Sequence, residues 1–285
     1  MLDMLFHPAM IRPLVAVIIA SIVSSVVGVF TVLRGFSTLS AAITHSSFAG
    51  ASIAVIYGVN PLLGALAVSL GFSGLTAYAS RGNERRADVF VGMMFGFSTA
   101  IAVLFLSLAR TYTATAWSFI VGDVLGVSLI DLYTLIAVAV VALCIVALFY
   151  KEFKFITFDP EAAEAMGLRA SLYHYLMVFL IALFSVVAVK VVGIILAVVL
   201  LVAPAAAAYE FSHGLERMLS LSLSVSLASG VAGFLLSLYF NVATSAMIGI
   251  CASAAYLAAL LASPKRRRCA KCKEVATSRR VAKEV

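Results

Sequence analysis

The sequence predicts an all-α polytopic membrane protein of about eight to nine transmembrane helices. Three observations point there. Of 285 residues, 64% are apolar, against about 45–50% in an ordinary soluble domain. Only 12% are Asp, Glu, Lys or Arg, about half the usual share. Apolar runs long enough to cross a bilayer recur along nearly the whole chain. A water-soluble globule is thereby excluded, and no stretch between the runs could bury a core of its own. A β-barrel would need segments of about 10 residues in strict alternation, and these are absent.

The first run, 14–33, is too long for the apolar core of a secretory leader, and no small-residue cleavage pattern closes it, so it reads as a retained helix. About 20 residues at roughly 1.5 Å each cross the hydrocarbon layer. Runs of that size follow at 40–57, 61–79, 89–108, 129–150, 172–190, 191–209, 217–239 and 245–262. Inside lipid they must be helices, because nothing else satisfies their backbone groups. The 34-residue run from Leu176 to Tyr209 is interrupted only by Lys190. A charge at the bilayer centre is unfavourable by about 2.5–3.5 kcal/mol or more, which predicts Lys190 at the tip of a tight helical hairpin. Gly92-x-x-x-Gly96 and Gly122-x-x-x-Gly126 predict close helix approach. Pro204, inside the seventh run, predicts a kink. Asp88, Asp123 and Asp131 stand at run ends and read as caps or interfacial pairs.

Short basic loops stay cytoplasmic, and three stand out: 81–86 (RGNERR), 151–154 (KEFK) and the tail from Lys265. Two runs separate the first pair and four the second, so all three can share one side. The segment 117–127 (WSFIVGDVLGV) is left on the other side as a re-entrant or interfacial piece. The side of the N-terminus stays open, because three runs precede Arg81 and Arg34 alone is weak evidence. The domain division is 1–263, a transmembrane domain, and 264–285, a basic tail. That tail holds nine Lys or Arg and two Glu, while the rest holds eleven of each sign. It is expected on the anionic inner leaflet, with lipid rather than nucleic acid as partner. Cys269 and Cys272 form its C-x-x-C; two such tails would together supply a Cys₄ zinc shell.

Between the fifth and sixth runs lies Phe158-Asp-Pro-Glu-Ala-Ala-Glu-Ala-Met-Gly-Leu-Arg169. Asp159 suits an N-cap, Pro160 the first helical position, Glu161 and Glu164 the positive end of the dipole, and Gly167 the stop. A helix of about two turns within 159–167 is predicted. Tertiary contact must hold it, since so short a helix is marginal in water. Ala162, Ala163, Ala165 and Met166 offer apolar surface for a partner's groove.

The spacing E-A-A-x-x-x-G at Glu161, Ala162, Ala163 and Gly167 resembles the coupling-helix motif by which ABC-importer permeases sit in a cleft of their cytoplasmic ATPase. Further blocks carry the resemblance along residues 10–262: FTVLRGFS at 30–37, SAAITHSSFAG at 40–50, RRADVFVGMMF at 85–95, VGDVLGVSLIDL at 121–132 and VGIILAVVLLVAPAAA at 192–207. The chain is similar to the membrane permease subunit of metal-type (zinc, manganese, iron) ABC importers. That resemblance implies a translocation path on the two-fold axis of a homodimer, two ATPase subunits below, a solute-binding protein above, and the cell membrane of a prokaryote with the C-terminus cytoplasmic. It implies a transported divalent ion rather than a resident cofactor. Two positions depart from the family pattern: Ala41 and Asn241 stand where an acid is usual.

His45 is the one histidine well inside an apolar run; His7, His174 and His213 fall near ends or loops. An ionisable group at membrane depth is a functional hypothesis by default. Ser40, Thr44, Ser46, Ser47 and Ser52 make its helix small and polar, suited either to tight packing or to lining an aqueous path. Two readings of His45 stay open: a ring satisfied by a neighbouring hydroxyl or carbonyl, or a cargo ligand beside Thr44 and Ser47. In the second, two copies would briefly hold a borderline cation between two imidazoles. An Asp at 41 would share the His45 face; without it the site is weakened, for Mn²⁺ most of all.

No G-x-x-x-x-G-K-[ST] occurs, so the chain is not expected to hydrolyse ATP itself. A stand-alone secondary transporter is the competing reading; the mid-membrane acid pairs and inverted repeats that it requires are not found. An intramembrane hydrolase lacks its H-E-x-x-H or G-x-S-x-G.

Overall fold

The computed structural model describes residues 8–79, 84–108, 122 and 124–263. Within them the chain is helical: α1 (Pro8–Leu33), α2 (Ser37–Ile56), α3 (Pro61–Ala79), α4 (Glu84–Leu108), α5 (Leu129–Leu148), α6 (Tyr150–Phe158), α7 (Pro160–Ala165), α8 (Ala170–Val192), α9 (Ile194–Phe211), α10 (Leu215–Phe240) and α11 (Thr244–Ala262). Eight of these helices are long and apolar enough to cross a membrane, and α3 adds a shorter apolar stretch over Pro61–Thr76. The predicted fold class and all nine runs are thus present. Segment 117–121, Asp123, His7 and the tail with Cys269 and Cys272 lie outside the described residues.

The nine long helices alternate in direction, and side-chain contacts fix which ends meet. Arg34, after α1, reaches Ile156 in α6. Lys154 of α6 pairs with Glu216 of α10 at 3.3 Å. Pro61 and Lys190 line one small cavity at the opposite end. The start of α1 therefore lies at the end away from α7, while the ends of α9 and α11 lie at the α7 end. This relative placement, which short basic loops left undecided, follows from Arg34 being bound to α6.

α1, α2, α8 and α9 form the centre. Their buried residues include Val17, Ile43, Phe184 and Leu200. α4 and α5 expose most of their surface within this chain, including Met93, Phe97, Leu104 and Val140. Where helices cross most closely, glycine allows it. A Cβ on Gly28 would collide with the Leu201 carbonyl, and one on Gly50 with the carbonyl of Gly64. Within this chain no helix closes on Gly92 or Gly96: both face open space on the outward side of α4. Gly122 does meet a backbone, that of Val192 and Gly193.

The break in the long apolar run falls at Gly193, whose φ of +85° glycine alone adopts without strain. Lys190 is therefore not the tip but lies in the last turn of α8, where it pairs with Asp131. Asp131 also closes a capping box with Ser128 at the start of α5, so its reading as a cap and interfacial pair holds. The stretch read as a basic loop, 151–154, is part of helix α6, since Phe153 and Ile156, three apart, anchor one face in the core. Pro204 sits buried inside α9, which continues through it.

Candidate functional site: the His45 face and the α7 helix

α7 forms as its residues dictate. The Asp159 side chain accepts from the Ala162 amide at 2.9 Å, Pro160 occupies the first turn, and Gly167 follows the C-cap with φ +88°. The Leu168 amide returns to the Ala163 carbonyl at 3.0 Å, the Schellman closure. The faces divide more sharply than the sequence indicates. Ala163 is fully buried in its own chain, whereas Glu161, Glu164, Ala165, Met166 and Gly167 are exposed. Ala163 is thus the seat of α7 on the bundle rather than part of its outward face, and Ala162 is half-buried between the two. Met166, 76% exposed, is the large apolar group that this face offers.

The small polar surface of α2 is used for packing. Each hydroxyl donates to a carbonyl one turn back: Ser40 to Ser37, Thr44 to Ser40, Ser46 and Ser47 to Ile43, Ser52 to Phe48, at 2.7–3.1 Å. Internal bonding of this kind lets α2 be buried without orphaned hydroxyls. Thr44 Oγ1 also lies 3.1 Å from Ser185 Oγ of α8. Thr44 and Ser47 are therefore buried and engaged elsewhere, and the structure does not bring them to His45.

From Leu39 to Ser52, only Ala41 and His45 keep partial exposure. They lie one turn apart on one stripe, as i and i+4 positions must. The imidazole turns toward α4, with Nδ1 2.9 Å from Thr99 Oγ1 and its ring centroid 4.3 Å from that of Phe95. Sequence reasoning missed Thr99 and Phe95, since only tertiary packing brings α4 to α2. Among the described residues no group of three or more His, Cys, Asp and Glu could hold a metal ion, so one copy supplies one strong donor here. Asn241, the other departure, caps α10 in the left-handed region with φ 55°, a conformation that asparagine tolerates well.

Comparison with known proteins agrees with this architecture. The profile of the ABC 3 transport family matches residues 6–263. The chain is 32% identical over 254 residues to the manganese import system permease protein ScaB of Streptococcus gordonii, covering 89% of this chain and 91% of that protein. It is 32% identical over 255 residues to the manganese transport system membrane protein MntC of Listeria monocytogenes, covering 90% and 91%. A chain of the solved PsaBC complex from Streptococcus pneumoniae superimposes with a TM-score of 0.83 at 29% identity, covering 93% of this chain and 96% of that one. A family match across nearly all of the transmembrane region, joined to a fold shared over the same length, leaves one conclusion: the chain belongs to the ABC 3 transport family.

Proposed function

We propose that this chain is the translocating subunit of an ATP-driven importer for a divalent first-row transition metal, and that two copies form the path. The carrying observation is α7, a helix capped at both ends, seated through Ala163 and presenting Glu161, Glu164 and Met166 outward. Such a knob suits a groove in a separate ATPase, consistent with the lack of a phosphate-binding loop in this chain. The ATPase end is then the cytoplasmic end and the Lys190 end faces outward, toward a solute-binding protein. On this reading the end of α11 is cytoplasmic, in keeping with the expectation of a basic tail drawn to the anionic inner leaflet.

The relatives named for manganese support Mn²⁺ as cargo, and Ala41 beside His45 supports a softer donor set that also passes Zn²⁺ and Fe²⁺. Two His45 side chains, one from each copy, supply the imidazoles; hydroxyls or water complete the shell. A weak site serves transport, because conduction requires release as well as capture. The test is ATP-driven uptake of Mn²⁺, Fe²⁺ and Zn²⁺ into vesicles carrying the whole complex, with His45→Ala and Met166→Asp. His45→Ala lowers uptake and leaves assembly intact, whereas Met166→Asp loosens ATPase attachment. Uptake of none of the three ions removes this reading, and unchanged uptake in His45→Ala removes His45 from the mechanism.

A further inference from the structure

The hydroxyl of Thr99 has an acceptor within its own helix. Thr99 Oγ1 lies 2.8 Å from the carbonyl oxygen of Phe95, one turn back in α4, and donates to it. The same oxygen lies 2.9 Å from His45 Nδ1. A hydroxyl has one proton to give and two lone pairs with which to accept. With its proton given to Phe95 it can only accept at His45, an arrangement in which Nδ1 carries the imidazole proton. A neutral imidazole has a single N–H, so Nε2 keeps its lone pair. The Phe95 ring, tilted 56° against the imidazole, restricts the ring flip that would exchange the two nitrogens.

We infer that Thr99 is a positioning residue for transport: it holds His45 in the Nδ1–H tautomer and so keeps Nε2 as the nitrogen open to a passing divalent cation. The inference rests on the proposed passage of cargo past His45. Metal-binding histidines commonly donate their other N–H to an acceptor that fixes tautomer and ring orientation, and loss of that acceptor lowers affinity or activity about 10–100-fold. Phe95 contributes twice, through its ring and through the carbonyl that takes the Thr99 proton. Without that carbonyl the hydroxyl could donate to Nδ1 instead, leaving the proton on Nε2.

The test has two arms. Solid-state NMR of the ¹⁵N-histidine-labelled permease, assembled with its ATPase in nanodiscs, reads the tautomer directly; His45 is identified by the signals missing from His45→Gln. The expected wild-type state without metal is Nδ1–H. Thr99→Val, which keeps the volume and removes the acceptor, shifts His45 toward Nε2–H, and Thr99→Ser restores the wild-type spectrum. In vesicles carrying the full complex, with Mn²⁺ as probe, Thr99→Val lowers uptake about 10-fold or more, and Thr99→Ser recovers most of it. A wild-type His45 protonated on Nε2 overturns the inference, whether or not Thr99→Val assembles. Wild-type uptake by an assembled Thr99→Val also overturns it. If His45→Ala loses uptake while Thr99→Val keeps it, the passage of cargo past His45 stands and only this inference fails. If His45→Ala transports normally, both fail.

Discussion

Arg34 donates from Nη1 to the main-chain oxygen of Ile156 at 2.9 Å, tying the turn between α1 and α2 to the helix that leads into α7. The guanidinium also stands 5.6 Å from the centroid of the Phe36 ring, within cation–π range. Ile156 lies in the last turn of α6, where carbonyls lack intrahelical partners and a cation is favoured. Burial lowers the Arg34 pKa, yet arginine stays protonated in proteins, so the tie does not depend on pH. Its effect is mechanical. In the proposed importer, a displacement of α7 by an ATPase would pass through α6 to Arg34 and on to α2, the helix of His45. Arg34→Gln should leave the ATPase attached and ATP turnover measurable while uptake falls several-fold. Equal losses of attachment and uptake would assign Arg34 to assembly instead. The missing charge-assisted bond should also lower stability by about 2 kcal/mol, readable as a lower melting temperature in detergent.

The crossing of α2 and α3 sets a second expectation. Gly50 and Gly64 abut carbonyl to Cα, and a Cβ on either would meet the other's backbone. Backbone cannot rotate away as a side chain can. Gly50→Ala should therefore part the two helices and destabilise the chain by about 1–3 kcal/mol, whereas Gly92→Ala, facing open space, should be neutral or slightly stabilising. Thermal unfolding of the two variants side by side checks this; equal melting temperatures would contradict the crossing.

The elements most legible in the sequence were those whose signal is local. The nine runs follow from apolar length alone, and α7 from Asp159, Pro160 and Gly167 in their expected cap positions. What could not be read was how surfaces are shared. The serines of α2 suit a dry interface and a wet path equally, and only the neighbouring helices decide that they are packed. Ala163 belongs to the same motif as Glu161, yet burial under α6 and the bundle turns it inward. Lys190 showed that the long run breaks, but the charge penalty locates a break only to within a turn; the left-handed requirement at Gly193 fixes the residue. Thr99 is 54 residues from His45, and nothing in either segment announces the pair.

At the end opposite α7, Lys190 and Asp131 pair while Ser128 donates to the same carboxylate at 2.6 Å. Both side chains are partly exposed, so the pair is worth less than a fully buried one. Its use is to fasten the end of α8 to the start of α5, beside the Gly122 contact with Val192. Asp131→Asn and Lys190→Met should each lower stability by about 1–2 kcal/mol. The double variant should recover part of the loss, because neither single change then leaves a lone charge. A double-mutant cycle with no coupling energy would show that the pair fastens nothing.

Ala41 carries the last prediction, which concerns the choice of ion. It shares the half-exposed stripe of α2 with His45, one turn away, so an added carboxylate would face the same space. Oxygen donors suit Mn²⁺ better than imidazole alone does, while Zn²⁺ is already served by nitrogen. Ala41→Asp should therefore raise Mn²⁺ uptake relative to Zn²⁺ uptake several-fold, measured as competition between the two ions in the same vesicles. In the proposed two-copy path, a second carboxylate would double the added charge and slow release, so maximal velocity should fall as apparent affinity rises. If Ala41→Asp left both the ion ratio and the velocity unchanged, the stripe would not face the cargo, and the ion passed by this permease would have to be set by side chains elsewhere along the path.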